Sequence, residues 1–458
     1  MKNSTVKNIV LLSALICIAQ FSFSQNPIVQ TMYTADPAPM LHNDTLFLYV
    51  GRDEEGAPKN GYLMREYRLF TTTDMVNWTD QGAPLKISEI GWSAGDASAA
   101  QCVERNGKFY WYFSTMNRTP GKGGVSVGVA VADSPYGHFK DALGKALVTN
   151  DMTTYGKHSW DDLDPTAFID DDGQAYLFWG NGACYWVKLK EDMISLDGEI
   201  HALDVANPDA FVQKFTEAPW IYKRNKQYYL IYAAQFPENI SYSTAKKITG
   251  PWKAGRVLMP TEKGSNTNHP GIIAYKGNAY FFYHNDALPG GHSYNRSVAV
   301  EEFKYNKDGT LPQLRMTDDG IVKGVGTLNP YKRVEAETMA FSQGVKAGED
   351  DQTGVFITSI NHNDYIRVRD VDFGGDGTSK FTASVSSRYD GGSIEIRTDG
   401  KDGKLIGTLR VPYIGEWDKW VKLATPVEKT KGIHDLYFIF KGKQPQQLFN
   451  FDYWMFEK

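Results

Sequence analysis

Three acidic residues, Asp36, Asp164 and Glu217, head similar short segments in different parts of the chain. Each is followed by an apolar stretch, a polar turn and an aromatic stretch, and each precedes its turn by eight residues. A pair of carboxyl groups can hydrolyse a glycosidic bond, because one protonates the leaving oxygen while the other activates water. A single Asp-Pro would favour a turn or cap residue, but three acids in the same phase of a repeat favour catalysis.

The repeat has five members, and each has the pattern of a β-hairpin. Their lead residues are Asp36, Ser98, Asp164, Glu217 and His269. Aromatic hairpins that recur about every 50 to 70 residues, without helical periodicity between them, are typical of a β-propeller. We therefore predict five blades, with the lead residues of the inner strands meeting at one end of the central axis.

The order of the blades predicts a role for each lead residue. Asp36 and Glu217 would face each other across the axis, which favours the gap of roughly 6.5 to 9.5 Å that admits a water and inverts the anomeric centre. Asp164, in the blade next to Glu217, would raise the pKa of Glu217 by like-charge repulsion and keep it protonated near neutral pH. His269 would bind a carboxylate or the water around a metal ion, or would be an ordinary core histidine.

The two ends of the chain differ from its middle. Residues 1–24 carry Lys2 and Lys7, an apolar run and small residues, which predict a signal peptide and export to the periplasm, the cell surface or the medium. We expect the propeller at residues 25–325, a linker at 326–332 and a β-sandwich of the jelly-roll type at 333–458. The predicted fold class is all-β, and no stretch of the mature chain predicts a membrane span.

Composition limits the classes of partner. The chain has 458 residues and a formal net charge of −5, without long runs of Lys or Arg, so nothing favours binding to nucleic acid. The mature chain keeps Cys102 and Cys184, which could form one disulfide but are predicted to be buried free thiols. We expect a monomer whose partner is a polysaccharide or an oligosaccharide.

Four motifs together resemble those of glycoside hydrolase family 43. They are Ala35-Asp36-Pro37, the acidic run at residues 162–173, Phe215-Thr216-Glu217-Ala218-Pro219-Trp220 and Asn268-His269-Pro270-Gly271. The resemblance covers roughly residues 26–325, and the spaced set is more specific than any one motif. It implies an inverting five-bladed propeller with Asp36 as general base, Glu217 as general acid and Asp164 as the modulator of the acid's pKa.

The resemblance also implies two ligand contacts. His269 would lie on the axis near a calcium ion that it contacts through water, and Arg296 would bind the sugar beside the acid. Two positions depart from the family pattern. Ser98 stands where many relatives have tryptophan, so we expect Trp92 to form that wall of the pocket, and Ala218 stands where glycine is frequent.

The last part of the chain is similar to a family 6 carbohydrate-binding module. Glu335 and Glu337 near its start and Asp452 near its end would lie on adjacent strands, in the manner of the family's structural calcium site. Trp417 and Asn450 match part of the sugar-binding cleft of such modules. The alternative is that Trp417 only packs against its neighbours.

The resemblance favours arabinoxylan-debranching α-L-arabinofuranosidases within the family. Alternatives of the same family are a β-xylosidase, an endo-xylanase or an arabinanase, because specificity resides in pocket depth and rim loops. Two alternatives come from other classes: a propeller that binds carbohydrate without catalysis, and a structural or adhesive propeller whose acids hold a metal.

Overall fold

The structure is a computed structural model that describes residues 25–58, 60–153, 156, 158–443 and 447–458. The predicted signal peptide therefore lies outside the described residues. Within these residues, regular structure is β-strand except for two 3-10 turns, Ile87–Glu89 and Asn150–Met152. In the described part of the chain, no helix has the length and apolarity needed to cross a membrane. The all-β prediction is confirmed.

Five antiparallel sheets follow one another along the chain as the blades of a propeller. The strands of the first three blades are β1 (Tyr33–His42), β2 (Thr45–Asp53), β3 (Tyr67–Thr72) and β4 (Trp78–Asp80); β5 (Ser98–Arg105), β6 (Lys108–Met116), β7 (Val125–Ala132) and β8 (Lys140–Asp141); and β9 (Thr166–Ile169), β10 (Ala175–Trp179), β11 (Tyr185–Leu189) and β12 (Leu196–Ala202). Those of the last two are β13 (Phe215–Arg224), β14 (Gln227–Ala234), β15 (Asn239–Ala245) and β16 (Lys253–Met259); and β17 (Gly271–Tyr275), β18 (Asn278–Asn285) and β19 (Ser297–Phe303).

The predicted hairpins form because their turns have suitable residues. Asn43 and Asp44 between β1 and β2 have φ values of 47° and 60°, and Asn106 and Gly107 between β5 and β6 have 55° and 74°. Two consecutive positive φ values suit the right-handed twist of a tight hairpin, and Asn, Asp and Gly tolerate them. The aromatic strand that follows each turn is buried on both faces because neighbouring blades stack on it, as in the fully buried run at residues 109–113.

The first strand of each blade lies at the centre of the ring, where β1, β5, β9, β13 and β17 contact one another in sequence and β17 returns to β1. Three of these strands have a register shift next to the lead residue. The shifts fall between Ala35 and Ala38, between Ser98 and Ala100, and between Glu217 and Trp220. A bulge bends the strand and redirects its side chains, so the lead residues point towards the end of the axis.

The C-terminal part is a β-sandwich of two antiparallel sheets. One sheet contains β20 (Val334–Glu335), β23 (Lys346–Asp350), β24 (Gly354–Thr358), β26 (Lys380–Ser386), β29 (Val421–Pro426) and β31 (Asn450–Glu457). The other contains β22 (Phe341–Gln343), β25 (Tyr365–Asp372), β27 (Gly392–Thr398), β28 (Lys404–Val411) and β30 (Ile433–Lys441). Alternate residues of both sheets meet in a separate core that includes Phe381, Phe438 and Trp454, as expected for two stacked sheets.

One strand of the C-terminal part joins the propeller. β21 (Thr338–Met339) pairs antiparallel with β4 and extends the sheet of blade 1. Nearby, Asn77 and Arg369 exchange two backbone-to-side-chain hydrogen bonds of 2.8 and 2.9 Å, and the buried guanidinium of Arg68 lies 2.5 Å from the carboxylate of Glu349. The sandwich is therefore fastened to blade 1 by backbone pairing, side-chain hydrogen bonds and an ion pair.

The two described cysteines are separate. Cys102 lies in β5 and Cys184 precedes β11, and both are buried free thiols. Burial raises the pKa of each thiol well above its usual range. The prediction of two buried free thiols is confirmed.

Candidate active site

Asp36 lies at the bulge of β1 with its side chain buried at the ring centre. Its Oδ1 accepts a hydrogen bond of 2.9 Å from Nη1 of Arg296. Burial raises the pKa of Asp36, whereas the charge and hydrogen bond of Arg296 lower it. The guanidinium thus favours the ionised form that a general base requires.

Arg296 is held in place by Asp53, the last residue of β2. The backbone N–H, Nε and Nη2 of Arg296 each donate to the Asp53 carboxylate at 2.9 Å. The ring of Tyr62 lies 4.8 Å from the guanidinium carbon. The structure therefore places Arg296 between Asp53 and the candidate base Asp36, and its predicted contact with a sugar stays a prediction.

Asp53→Asn should destabilise the fold by about 3 to 5 kcal/mol, because it removes the anion that pairs with a buried guanidinium. Urea unfolding of the mature chain would measure this. A matched control is Asp133→Asn, since Asp133 pairs with Lys108 at the surface and its loss should leave the unfolding midpoint unchanged. If the midpoint of Asp53→Asn shifted as little as that of the control, the result would contradict the expected role of Asp53.

Asp164 contacts the segment that carries the candidate acid. It precedes β9 with a φ of 58°, and its Oδ2 accepts a hydrogen bond of 3.1 Å from the backbone N–H of Ala218. Burial, followed by the charges of Glu217 and Asp36, raises the pKa of Asp164 well above its usual range. Through Ala218, Asp164 can orient the residue next to it, Glu217.

Glu217 lies in β13, next to the register shift between Glu217 and Trp220. Its Oε2 accepts a hydrogen bond from the side-chain amide of Asn181. Burial is the largest cause that raises the pKa of Glu217, and the charge of Asp36 adds to it. The raised pKa of Glu217 agrees with the expectation for a general acid, but burial rather than repulsion from Asp164 is its leading cause.

Two neutral histidines line the same centre. His269 is buried with Nδ1 3.9 Å from Oδ1 of Asp36, and burial together with Arg296 lowers its pKa to about 3. His284 lies with Nε2 2.9 Å from the carbonyl oxygen of Thr267. If that nitrogen donates, Nδ1 is free to accept the backbone N–H of Asp36, which lies at 3.3 Å. His284 thus holds the backbone of the candidate base.

The site combines buried carboxyl groups in two different electrostatic environments. Burial raises the pKa of both groups, but Asp36 has a hydrogen-bonded guanidinium, whereas Glu217 has an amide donor and is reached by the charges of Asp36 and Arg296. Environments that differ in this way can shift the pKa values of two carboxyl groups apart. Such a pair can supply the base and the acid of glycoside hydrolysis.

Comparison with known families agrees with this chemistry. The model of the family described as Glycosyl hydrolases family 43 matches residues 24–311, and that of Carbohydrate binding module (family 6) matches residues 335–458. The chain belongs to glycoside hydrolase family 43. It is a glycosidase with a family 6 module, and the five-bladed propeller followed by a β-sandwich is confirmed.

Individual relatives cover most of this family 43 chain. An arabinoxylan arabinofuranohydrolase of Bacillus subtilis (strain 168) is 31% identical, over 96% of this chain and 93% of the relative. A xylosidase/arabinosidase 43A of Humicola insolens is 29% identical, over 62% of this chain and 98% of the relative. The crystal structure of a Bacillus subtilis family 43 arabinoxylan arabinofuranohydrolase in complex with cellotetraose superposes with a TM-score of 0.82 and 30% identity, covering 94% of this chain and 97% of that one.

Several residues of the family 43 site were not predicted from the sequence. They are Asp53, Tyr62, Asn181, Glu238 and His284. Asn181, in the turn Gly180-Asn181-Gly182 after an aromatic strand, has a local signal, since such a turn would be expected at the same end of the ring as the lead residues. The other four residues have no local signal in the sequence, because they come near the site only when the chain has folded into the propeller.

Trp92 lies close to blade 2. It is buried, stacks on Phe113 with ring centroids 5.8 Å apart, and donates from Nε1 to Asp141 at 3.0 Å. These contacts with Phe113 and Asp141 explain why Trp92 is buried. Its predicted part in the wall of the pocket stays a prediction.

The predicted cleft residues of the module lie together. The amide of Asn450 donates to the carbonyl oxygen of Trp417 at 3.4 Å. The half-buried ring of Trp417 meets the exposed ring of Tyr389 edge to face, with centroids 6.0 Å apart. Tyr389 supplies a second aromatic ring that the sequence did not reveal, so the cleft has an aromatic pair open to solvent.

Two of the predicted calcium ligands of the module lie on adjacent strands, and the third, Glu337, lies in the turn between β20 and β21. Glu335 in β20 pairs with Tyr453 next to Asp452 in β31, and Arg333 donates to both carboxylates, at 2.8 and 3.1 Å. Oε2 of the buried Glu337 has no hydrogen-bond partner. Among the described residues, no three His, Cys, Asp or Glu side chains are already arranged to hold a metal ion.

Proposed function

We propose that the chain is an exported, inverting α-L-arabinofuranosidase that removes arabinose side chains from arabinoxylan. The observation that carries the proposal is the pair of buried carboxyl groups, Asp36 hydrogen-bonded to the guanidinium of Arg296 and Glu217 hydrogen-bonded to the amide of Asn181. The arabinoxylan arabinofuranohydrolase relative, which covers nearly the whole chain, supports the choice of sugar. Export follows from the predicted signal peptide.

In the proposed reaction, Glu217 gives its proton to the glycosidic oxygen while the bond from that oxygen to the anomeric carbon breaks. Asp36 takes a proton from a water that attacks the anomeric carbon from the opposite face, which inverts the configuration. The proton of Glu217 leaves on the xylan hydroxyl, and that of the water stays on Asp36 until it exchanges with solvent. Asp164 orients the acid through Ala218.

Two exposed rings lie next to residues that bond the neighbours of the candidate acid, and such rings suit a polysaccharide. Trp160 and Phe236 have exposed fractions of 53% and 68%. Trp160 adjoins Asp161, whose carbonyl accepts the backbone N–H of Asn181, and Phe236 follows Gln235, whose carbonyl accepts the hydroxyl of Thr216. Aromatic faces placed this way can stack on the sugars that flank the one to be cleaved.

A panel of arabinoxylan, arabinan, xylo-oligosaccharides and galactan tests the proposal. We expect arabinose as the main product from arabinoxylan, and proton NMR of the first product should show the anomer of inverted configuration. Xylose from xylo-oligosaccharides as the main product would favour the second candidate, a β-xylosidase, which the xylosidase/arabinosidase relative supports. Binding without any hydrolysis would favour a non-catalytic propeller.

Calcium is part of the proposal. Glu335, Glu337 and Asp452 would hold an ion in the module, and their fit rests on the unpartnered Oε2 of Glu337 and on the neighbouring carboxylates of Glu335 and Asp452, which, after burial, raise the pKa of Glu337. Such an ion would neutralise this acidic cluster. A second ion near the axis would contact His269 through water.

Removal of calcium should lower the thermal unfolding midpoint, and added calcium should restore it. At a free concentration one hundred times its Kd, an ion bound only to the folded chain stabilises it by about 2.7 kcal/mol. Glu337→Gln should abolish most of the shift, whereas Glu395→Gln, on a strand of the other sheet, should keep it. A wild-type midpoint that does not respond to calcium would contradict the proposal.

A further inference from the structure

A tight turn connects the segment of the candidate acid with the segment of the residue that orients it. The turn Gly180-Asn181-Gly182 lies between β10 and β11. Its first backbone N–H donates to the carbonyl oxygen of Leu163 at 2.8 Å, and its last donates to the carbonyl oxygen of Thr216 at 2.6 Å. These two acceptors directly precede Asp164 and Glu217. The turn therefore fixes the two segments relative to each other.

The middle residue of the turn has a fixed backbone. The N–H of Asn181 donates to the carbonyl oxygen of Asp161 at 2.9 Å. Asp161 is 1% exposed, and its carboxylate accepts the hydroxyl of Tyr185 at 3.0 Å. Gly180 has a φ of 134°, and a Cβ atom on it would lie 2.0 Å from the carbonyl oxygen of Ala183, so only glycine fits there. The side chain of Asn181 thus starts from a position that the fold determines.

From this position, the side-chain amide of Asn181 donates to Oε2 of Glu217. In a neutral carboxyl group, one oxygen is an O–H donor and the other keeps its full capacity to accept. A proton on Oε2 would compete with the amide N–H for the same oxygen. The bond therefore favours Oε2 as the acceptor and Oε1 as the oxygen that carries the proton.

We propose that Asn181 is a positioning residue that holds the carboxyl group of Glu217 in one orientation, so that Oε1 gives the proton to the glycosidic oxygen. The inference rests on the proposed function, in which Glu217 is the general acid. Without the bond, the carboxyl group can rotate about its Cγ–Cδ bond, and its proton meets the leaving oxygen in the productive geometry less often. Asn181 acts on the reaction through the acid.

The bond also affects the ionisation of the acid. Burial is the largest cause that acts on the pKa of Glu217 and raises it, whereas the bond from Asn181 is the largest of the causes that lower it. Titratable or charged groups of other elements face Glu217 as well, namely Asp36, Asp164, Glu238, Arg296 and Tyr62. All of them remain in a variant of Asn181, so a change in the titration of Glu217 would report the loss of the amide.

Asn181→Ala removes the amide and keeps the backbone bonds of the turn. We expect kcat on arabinoxylan to fall about 10- to 100-fold, with KM changed less than about threefold, because proton transfer depends on the orientation of the acid. With 4-nitrophenyl arabinofuranoside, whose leaving group needs little acid assistance, the loss should stay below about threefold. Equal losses on the two substrates would contradict a role through the acid.

The pH profile separates this role from a purely structural one. In Asn181→Ala, the basic limb of the kcat/KM profile should move up by about one pH unit, because an N–H donor that stabilises the ionised acid is gone. Asn181→Asp keeps the size of the side chain without its N–H, and its carboxylate would repel ionised Glu217, so the limb should move up at least as far. A turn that had only lost its shape would lower the plateau and leave the limb in place.

A matched control is Asn306→Ala, in a surface turn where the side-chain amide donates to the hydroxyl of Thr310 at 2.9 Å. Both substrates should be hydrolysed by this variant as by wild type, with an unchanged pH profile. Any shift of the limb in the control would show that loss of an asparagine amide alone does not report on the acid.

Titration of Glu217 tests the proposal without activity. In protein labelled with ¹³C at the glutamate carboxyls, the resonance lost in Glu217→Gln assigns the acid, and its midpoint should rise in both Asn181 variants but not in Asn306→Ala. If the wild type is active and neither limb nor midpoint changes in the Asn181 variants, the proposal is overturned. A wild type without glycosidase activity would overturn the proposed function, and the titration would still decide whether the amide acts on Glu217.

Discussion

We expect Glu217→Gln to lower kcat for the release of arabinose from arabinoxylan by about 10³-fold or more, while the chain folds as before. Proton transfer by a positioned acid contributes about 10²- to 10⁴-fold, and the xylan hydroxyl is a poor leaving group that depends on it. The variant keeps the acceptor for the amide of Asn181. Rates of arabinose release at several pH values would measure the loss of kcat. They would also show whether the basic limb of the pH–rate profile disappears.

The choice of leaving group separates an acid from a residue that only shapes the pocket. An aryl arabinofuranoside with an acidic phenol departs without full protonation, so Glu217→Gln should retain far more activity on it than on arabinoxylan. Equal losses on both substrates would contradict the assignment. Glu301→Gln, at a buried glutamate of β19 that accepts hydrogen bonds from Tyr283 and Thr317, is the control for a buried glutamate changed to an amide.

Asp36→Asn should reduce kcat on arabinoxylan and on the aryl substrate to a similar extent, by about 10³-fold or more. The base acts on the attacking water in both reactions, so a better leaving group does not compensate for its loss. Asparagine can still accept the hydrogen bond of Arg296 at 2.9 Å, which limits structural disturbance. Initial rates on the two substrates would measure the effect.

A control for this variant lies on the same hairpin. Asp44 is an exposed turn residue with a φ of 60°, a conformation that asparagine also adopts readily. Asp44→Asn should leave both rates unchanged. Strong recovery of Asp36→Asn on the aryl substrate alone would indicate that Asp36, rather than Glu217, assists the leaving group.

The regularity of the repeat is what made the fold predictable. Turns such as Asn43-Asp44 and Asn106-Gly107 have conformations that few residue types allow, and equal spacing to Asp36 and Ser98 placed those residues at equivalent points of neighbouring blades. The bulge beside each of them could not be predicted, because it arises from pairing with the next strand rather than from the strand's own residues.

The supporting residues of the site lie outside the repeated segments. Asp53 ends a second strand, Glu238 lies in a loop and His284 lies in the middle strand of the last blade. None differs locally from the many other acids and histidines of the chain. Asp53 and His284 contact the site only because the first and last blades meet, as Arg296 and Asp53 do across the closure of the ring, and a sequence pattern does not contain that distance.

The pairing of β21 with β4 also has a consequence for self-association. The outer strand of a blade presents unpaired N–H and C=O groups that can recruit a strand from another molecule. Thr338 and Met339 occupy this edge of the first blade. A chain cut off after the propeller would uncover the edge together with the apolar side chain of Trp78 in the same strand, so we expect the C-terminal part to protect the propeller against aggregation.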